Sequence, residues 1–132
     1  MKFLFFIISL IVSTIVFSQE DEELERDKII EKRIEFIGEN LENSTIDLTT
    51  YLEDLYYFYD NPINLNQTSF DELSKLLILT DNQIYGILNY RKKYGELLSI
   101  YELTAIEELD KESISMILPF VSVKKVETDK FY

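Results

Sequence analysis

The sequence contains no cysteine and no histidine in its 132 residues. Without cysteine the chain cannot form disulfide bonds or a thiolate nucleophile, and without either residue it cannot build a Cys/His zinc site or a Ser-His-Asp triad. Carboxylates remain, but the chain has only three glycines and no D-x-D-x-D-G calcium-binding loop. We therefore expect a protein that is not an enzyme, with no catalytic residue, metal site, cofactor or small-molecule substrate.

Basic residues are also scarce, and the formal net charge is -12 at pH 7. The imbalance is concentrated in residues 20–60, which hold 14 acidic and 4 basic side chains, whereas residues 61–126 hold 9 acidic and 7 basic ones. Sequence-independent binding to a phosphate backbone needs clustered Lys and Arg. The acidic segment is therefore a poor candidate for nucleic-acid binding, and the second segment has to be judged by its own motifs.

The long hydrophobic run lies at the start of the chain. Met1-Lys2 is followed by an apolar stretch from Phe3 to Phe17, and Val16 and Ser18 stand where a signal peptidase expects small residues. The run is shorter than the roughly 20 residues that span a bilayer, which favours a cleaved signal peptide over an uncleaved anchor. We expect an exported protein, located in the periplasm, in the cell envelope or outside the cell.

Residues 19–60 predict two acidic helices. The first has one apolar stripe, formed by Ile30, Ile34, Ile37 and Leu41. The glutamates that lie off this stripe are Glu31, Glu35, Glu39 and Glu42. We interpret the charged side as a solvated face; the alternatives are a partner-binding helix and a short coiled coil.

A second helix is predicted to run as far as Tyr59, capped by Asp47, Thr49 or Thr50. Its predicted inward face consists of Leu48, Leu52, Leu55 and Tyr59. The segment is rich in aromatic residues, but no Lys or Arg is interleaved with them, so packing against the next domain is favoured over base stacking. The Asn61-Pro62 step ends this helix.

An internal duplication follows, with an offset of 30 residues and no gap. The matching pairs are Ser69 and Ser99, Phe70 and Ile100, Glu72 and Glu102, Leu73 and Leu103, Leu76 and Ile106, Leu79 and Leu109, Ile84 and Ile114, Ile87 and Ile117, Leu88 and Leu118, and Tyr90 and Phe120. Self-similarity at a fixed offset indicates one supersecondary unit used twice.

Each copy predicts a helix of about nine residues, a tight turn and a second helix. The four predicted N-caps are Ser69, Thr80, Ser99 and Asp110. Glu72 and Glu102 complete capping boxes with the two serines. The turns centre on Leu79 and Leu109, whose side chains are predicted to point inward, and Gly95 is a predicted C-cap.

Four stretches carry a family resemblance: N-L-N at residues 64–66, D-E-L at 71–73, I-L-N-Y-R-K-K-Y-G at 87–95 and L-S-I-Y-E-L at 98–103. Over about 60 residues, from Pro62 to Val123, the chain resembles the ComEA-type tandem helix-hairpin-helix domain family. It is also similar to the N-terminal part of larger exported helix-hairpin-helix proteins of Bacteroidetes. The resemblance implies an all-α fold and, for the family, DNA binding through glycine-hydrophobe-glycine turns whose amides approach a phosphate.

The two hairpin turns depart from the family pattern. They read Ile78-Leu79-Thr80 and Glu108-Leu109-Asp110, so the central hydrophobe is kept and all four glycines are missing. We expect Ile78 to place a branched side chain where close approach is needed. In the second turn, Glu107 adds a third negative charge to Glu108 and Asp110, so DNA binding there is not expected.

The basic residues near the hairpins are Lys75, Arg91, Lys92 and Lys93. One hypothesis is that they form a residual contact with a nucleic acid or another anionic polymer. The favoured interpretation is that the cations of residues 91–93 stabilise the carboxyl end of their helix by complementing its dipole. Tyr90 and Tyr94 are predicted to form the core and the rim of one packing surface.

We divide the chain into a signal peptide (1–18), an acidic helical segment (19–60), a tandem helix-hairpin-helix domain (61–123) and a C-terminal tail (124–132). The favoured function is that of an exported, non-catalytic interaction or scaffold module with degenerate hairpins and a protein partner. The alternative is ComEA-like DNA binding without sequence specificity, as in DNA uptake. Because the resemblance extends to larger proteins, two alternatives stay open: a chain that is complete as a shortened relative, and an N-terminal fragment of a larger protein.

Overall fold

The structure, a computed structural model, describes residues 21–38 and 47–125. The predicted signal peptide, residues 39–46 (with Glu39, Leu41 and Glu42) and residues 126–132 lie outside the described residues. Residues 21–38 are helical and are called α1. The elements that follow are α2 (Leu48–Asp60), β1 (Ile63–Asn64), α3 (Phe70–Ser74), α4 (Asp81–Tyr94), a first 3-10 helix (Ile100–Ala105), α5 (Lys111–Ile117), a second 3-10 helix (Leu118–Phe120) and β2 (Val121–Ser122).

The predicted all-α class is confirmed, with two strands of two residues added to it. The helix ends agree with the cap predictions. Asp47 and the four residues predicted from the duplication are N-caps, and Gly95, at φ 91°, is the C-cap of α4. None of the helices in residues 21–38 and 47–125 is both long enough and apolar enough to cross a membrane.

The first helix of each repeat is shorter than predicted. Helix α3 has five residues, and its counterpart is a 3-10 helix of six residues. In the first repeat the chain leaves the helix early and turns at Leu77, which has a left-handed backbone with φ 52°. This turn brings Leu76 and Leu79 into the core, so tertiary packing overrides the local helix pattern.

The positions of the capping boxes also differ from those predicted from the sequence. The box at Ser99 and Glu102 is present. In the first repeat the carboxylate of Glu72 accepts instead from the Thr68 hydroxyl at 2.8 Å, so the predicted box at Ser69 is only half formed. A complete box that the sequence reading missed joins Thr80 and Gln83 at the start of α4.

The core is continuous from α1 to β2. The fully enclosed side chains are Phe120, Ile30, Leu55, Leu65, Leu73, Leu76, Ile84, Ile87, Leu97, Leu103 and Ile117. The central residues of both turns, Leu79 and Leu109, are buried at 8% exposure, as predicted. Among the matched apolar pairs, Leu118 departs from the pattern because it is 43% exposed at the end of α5.

A short parallel ladder closes the duplicated region. Ile63 pairs with Val121, and Asn64 pairs with Ser122. Buried Asn66 continues the closure, because its amide nitrogen donates to the Leu97 and Lys124 carbonyls at 3.0 Å each and its amide oxygen accepts from Leu97 N at 2.8 Å. The asparagines of the N-x-N opening therefore hold the start, middle and end of the domain together.

Helix α1 packs on this core through a stripe that differs from the prediction. Ile30 and Ile37 are buried and Ile34 is half-buried, as expected, but Arg33 lies among them at 4% exposure. Its guanidinium donates to the Met116 carbonyl at 2.7 Å and to the Ser115 carbonyl at 3.2 Å. Arg33 therefore caps the carboxyl end of α5 from a distant helix.

The inward face of α2 is rotated relative to the prediction. Tyr51, Leu55 and Phe58 are the buried residues, whereas Leu48 is 60% exposed. Tyr51 can be buried because its hydroxyl donates to the Leu76 carbonyl at 2.8 Å. The predicted packing of this aromatic helix on the next domain is confirmed.

Candidate interaction surface around the two hairpin turns

The first hairpin turn presents a different side chain from the one expected. Ile78 was predicted to obstruct close approach, but its side chain is 5% exposed and belongs to the core. The exposed residue is the preceding Leu77, at 38% exposure and positive φ. Because a left-handed backbone disfavours residues other than glycine, this turn carries local strain.

The second turn is acidic and rests against α4. Glu107, Glu108 and Asp110 are exposed and Leu109 is buried between them. Glu108 packs on Gly86, where an added Cβ would lie 2.8 Å from the Glu108 carboxylate and 3.0 Å from its Cβ. Gly86 therefore permits the close approach of this turn, which the sequence reading did not identify.

Polar side chains of the protein occupy the helix starts that follow the two turns. Asp110 Oδ1 accepts from Ser113 N at 2.7 Å at the start of α5. This backbone hydrogen bond lowers the pKa of Asp110, which keeps the cap charged. At the start of α4, Thr80 N donates to Gln83 Oε1 at 3.0 Å and Gln83 N donates to Thr80 Oγ1 at 3.4 Å. These amides are already hydrogen-bonded within the chain.

The two turns are joined by residues that are equivalent in the duplication. Gln83 Nε2 donates to Ser113 Oγ at 2.8 Å and lies 3.4 Å from Asp110 Oδ2. Gln83 and Ser113 are 30 positions apart, so the duplicated units meet at matching positions. These contacts place both helix starts at one surface.

The duplicated region therefore contains two hairpin turns. Each turn has a buried central leucine and is followed by the start of a helix. Residues 59–122 match the family model of the helix-hairpin-helix motif. Helix-hairpin-helix motifs are nucleic-acid- or protein-interaction modules, so the match indicates an interaction module. Searches of the curated proteins and of the solved structures found no match.

The basic residues of the helix-hairpin-helix region do not form one patch. Arg91 is half-buried and donates to the Leu65 carbonyl at 2.6 Å and to the Thr68 carbonyl at 3.0 Å. Lys75 is exposed and lines a depression together with Asp47, the N-cap of α2, and Asp54 of that helix. Arg91 thus joins α4 to the loop after β1, a role that its place in a basic run conceals.

Lys92 and Lys93 are exposed near the end of α4. Lys93 Nζ lies 4.9 Å from the centre of the Tyr94 ring. Tyr90 and Tyr94 are in ring contact at 4.8 Å. Tyr94, at 64% exposure, is the predicted rim residue, whereas Tyr90 is half-buried and packs against the core instead of lying within it. Of the two lysines, Lys93 therefore lies beside an aromatic ring.

The arrangement of the acidic side chains decides whether this surface could bind a metal ion. Across residues 21–38 and 47–125, no group of three acidic side chains converges in a way that could hold a metal ion. The carboxylates of the second turn instead cap a helix, as Asp110 does, or face solvent.

Proposed function

We propose that the chain is an exported, non-catalytic interaction module whose helix-hairpin-helix region binds a protein partner rather than DNA. The observation that carries this proposal is the start of α5, where the Asp110 carboxylate already accepts the Ser113 amide at 2.7 Å. A phosphate at this position would have to displace a charged cap and approach the exposed carboxylates of Glu107 and Glu108.

The first hairpin turn also favours a protein partner over DNA, but for a different reason. Its helix start is closed by the reciprocal Thr80 and Gln83 bonds. The Thr80 and Gln83 amides at this helix start are therefore not free to bind a phosphate. The nearest basic residue along the chain, Lys75, lines a depression that also contains the acidic residues Asp47 and Asp54. Lys75 is a single cation and lies near carboxylates, so it does not form a cationic cluster there.

DNA binding in the manner of the ComEA-type family is the second candidate, and one observation favours it. Lys92 and Lys93 are exposed on the same helix as Gln83, which joins the two turns. Arg91 cannot serve the same purpose without giving up its bonds to the Leu65 and Thr68 carbonyls.

A fluorescence-anisotropy titration with a labelled DNA duplex separates the candidates. At about 50 mM salt, where phosphate contacts are stronger than at physiological salt, we expect no binding at about 100 µM protein. Micromolar binding that weakens steeply with salt and is lost in the Lys92→Gln/Lys93→Gln double variant would overturn the proposal. These two residues are the appropriate ones to change, because substitution of Arg91 also disturbs the fold.

A second pair of variants tests whether the carboxylates and missing glycines of the second turn are what prevents DNA binding. Glu108→Gly/Asp110→Gly removes two carboxylates and restores a glycine-hydrophobe-glycine turn. We expect this variant to bind the duplex more tightly than the parent chain, whereas Glu31→Gln/Glu35→Gln, which makes the same charge change on α1, should not. Equal gains in both would attribute the effect to net charge and contradict the turn argument.

Export is tested separately. If residues 1–18 are a cleaved signal peptide, mass spectrometry of the protein from the producing cell should find Gln19 as its first residue. Retention of Met1 in a membrane fraction would contradict cleavage.

A further inference from the structure

A groove lies between the carboxyl-terminal half of α4 and the second hairpin turn. It has a volume of about 250 Å³, and its lining includes Tyr90, Tyr94, Lys93, Glu107 and Glu108. One wall therefore offers two aromatic rings and the other offers two carboxylates. Gly86 forms part of the floor, because its missing side chain leaves room for Glu108.

We propose that this groove is the docking site for a basic segment of the partner protein, with an arginine or lysine side chain placed between the Tyr94 ring and the Glu107 and Glu108 carboxylates. The inference rests on the proposed function and names the partner's chemistry. An aromatic face and a carboxylate both favour a cation, and a guanidinium can stack on one while donating to the other.

The first argument is that the groove already holds a cation of this chain. Lys93 Nζ lies 4.9 Å from the centre of the Tyr94 ring. Its hydrogen bond to Tyr94 raises the pKa of Lys93, and the nearby Glu107 carboxylate contributes in the same direction. The site therefore stabilises positive charge within the protein itself, although the side chain that provides it is exposed and can move aside.

The second argument is that, in the part of the chain that the structure describes, neither carboxylate is engaged in a direct ion pair. Within residues 21–38 and 47–125, neither Glu107 nor Glu108 has a Lys or Arg nitrogen within 4.0 Å. Both side chains are exposed, and the net charge of the chain is -12. A basic segment would be attracted over a distance and would then find specific partners in the groove, whereas an acidic segment or a phosphate backbone would be repelled.

The third argument is the exposure of the aromatic wall. Tyr94 is 64% exposed even though it contacts Tyr90. Exposed tyrosines beside a polar rim are typical anchors at protein interfaces, because a rigid ring gains contact area at a low entropic cost.

The test uses a short glycine-serine peptide with two arginines and a copy in which citrulline, which is neutral and similar in shape, replaces each arginine. We expect the arginine peptide to bind at about 150 mM salt, where screening suppresses diffuse attraction, and to shift the amide signals of Gly86 and Tyr94 in NMR spectra. Binding of the citrulline peptide with equal affinity, or absence of binding by the arginine peptide, would overturn the inference.

Two matched pairs of variants test where the peptide binds. Glu107→Gln/Glu108→Gln should weaken binding by about five-fold, as expected for two exposed charge pairs, while Glu31→Gln/Glu35→Gln should change it by less than about two-fold. Glutamine keeps the contact of residue 108 with Gly86, so the fold is retained. Equal effects of the two double variants would show that only net charge matters and would overturn the inference.

The lysine pair is the sharper comparison. Lys93→Gln removes the internal competitor, so it should strengthen peptide binding more than Lys92→Gln, which makes the same charge change outside the groove lining. Equal affinities of these two variants would overturn the inference. The DNA titration tests the proposed function independently. If neither the peptide nor DNA binds, the docking groove is contradicted and the proposed function is not. If DNA binds, both the proposed function and the docking groove are contradicted.

Discussion

The Arg33 side chain donates from Nε to the Met116 carbonyl oxygen at 2.7 Å, and this bond attaches helix α1 to the end of α5. Burial lowers the pKa of Arg33, and the Phe120 ring lies 5.7 Å from its guanidinium carbon. The acidic amino-terminal segment and the second helix-hairpin-helix unit are therefore held together by a buried cation. Contacts of this kind cross the boundary that the sequence predicts at residue 60.

Arg33→Ala should lower the free energy of unfolding by about 2–4 kcal/mol, because the change removes charge-assisted hydrogen bonds and leaves the Ser115 and Met116 carbonyls without these donors. Urea denaturation followed by circular dichroism measures the loss. The neighbouring Lys32→Ala is the control, since Lys32 is exposed and a surface change alters stability by about 0.5 kcal/mol at most. Equal urea midpoints for the two variants would contradict the role of Arg33.

Arg91→Gln should lower stability by about 1.5–3 kcal/mol, because its guanidinium holds the Leu65 and Thr68 carbonyls. Lys92→Gln should be close to the parent chain. Thermal and urea denaturation of both variants tests this difference. If Arg91→Gln were as stable as the parent chain, Arg91 would not be needed for the fold and would be available to bind a ligand.

Asn66→Ala should destabilise the protein by about 2–4 kcal/mol, since it leaves buried polar groups of Leu97 without a partner. The exposed neighbour Gln67→Ala is the matched control. Hydrogen exchange gives a local readout: the Leu97 amide should lose protection in Asn66→Ala. Unchanged protection would show that the Leu97 amide does not depend on this side chain.

Leu77→Gly should stabilise the protein by about 0.5–1 kcal/mol, because glycine adopts the left-handed backbone at this turn without the steric cost of a side chain. Leu77→Ala keeps that cost and should bring no gain. If the alanine variant were the more stable of the two by urea denaturation, the turn would not be strained.

The cap at Asp110 should make stability depend on pH. Its pKa is lowered in the folded protein by the Ser113 backbone hydrogen bond, so its contribution is complete above the unfolded value of about 3.9 and is lost as the pH falls through the folded value. The stability gap between the parent chain and Asp110→Ala should therefore be widest near neutral pH and narrow below about pH 4.

Thr80→Ala removes the equivalent cap of the first repeat and serves as the control for that titration. A hydroxyl does not titrate in this range, so the stability gap of Thr80→Ala should stay constant between neutral and acid pH. A gap for Asp110→Ala that is equally constant would contradict the assigned charge on the cap.

The features that the sequence predicted well depend on neighbours along the chain. Ser99, Thr80 and Asp110 cap helices through amides two or three residues away, and the duplication marks Leu79 and Leu109 as inward-pointing. Such patterns are visible in a window of a few residues.

The features that the sequence did not predict depend on distant partners. Arg33 resembles any surface cation of an acidic helix until α5, 83 residues later, supplies its acceptor. Arg91 likewise sits in a basic run but bonds to carbonyls more than 20 residues earlier. Tyr51 and the two short strands belong to the same class, because only the assembled fold creates their hydrogen-bonding partners.

The parallel ladder between Ile63–Asn64 and Val121–Ser122 also has a mechanical consequence. A chain pulled from just before Ile63 and just after Ser122 loads the two strands in shear, because parallel strands are then drawn past each other along their length. Their hydrogen bonds must break together rather than one at a time. Tension between the segments that flank the helix-hairpin-helix region would thus meet resistance at this ladder before it reached the hairpin turns.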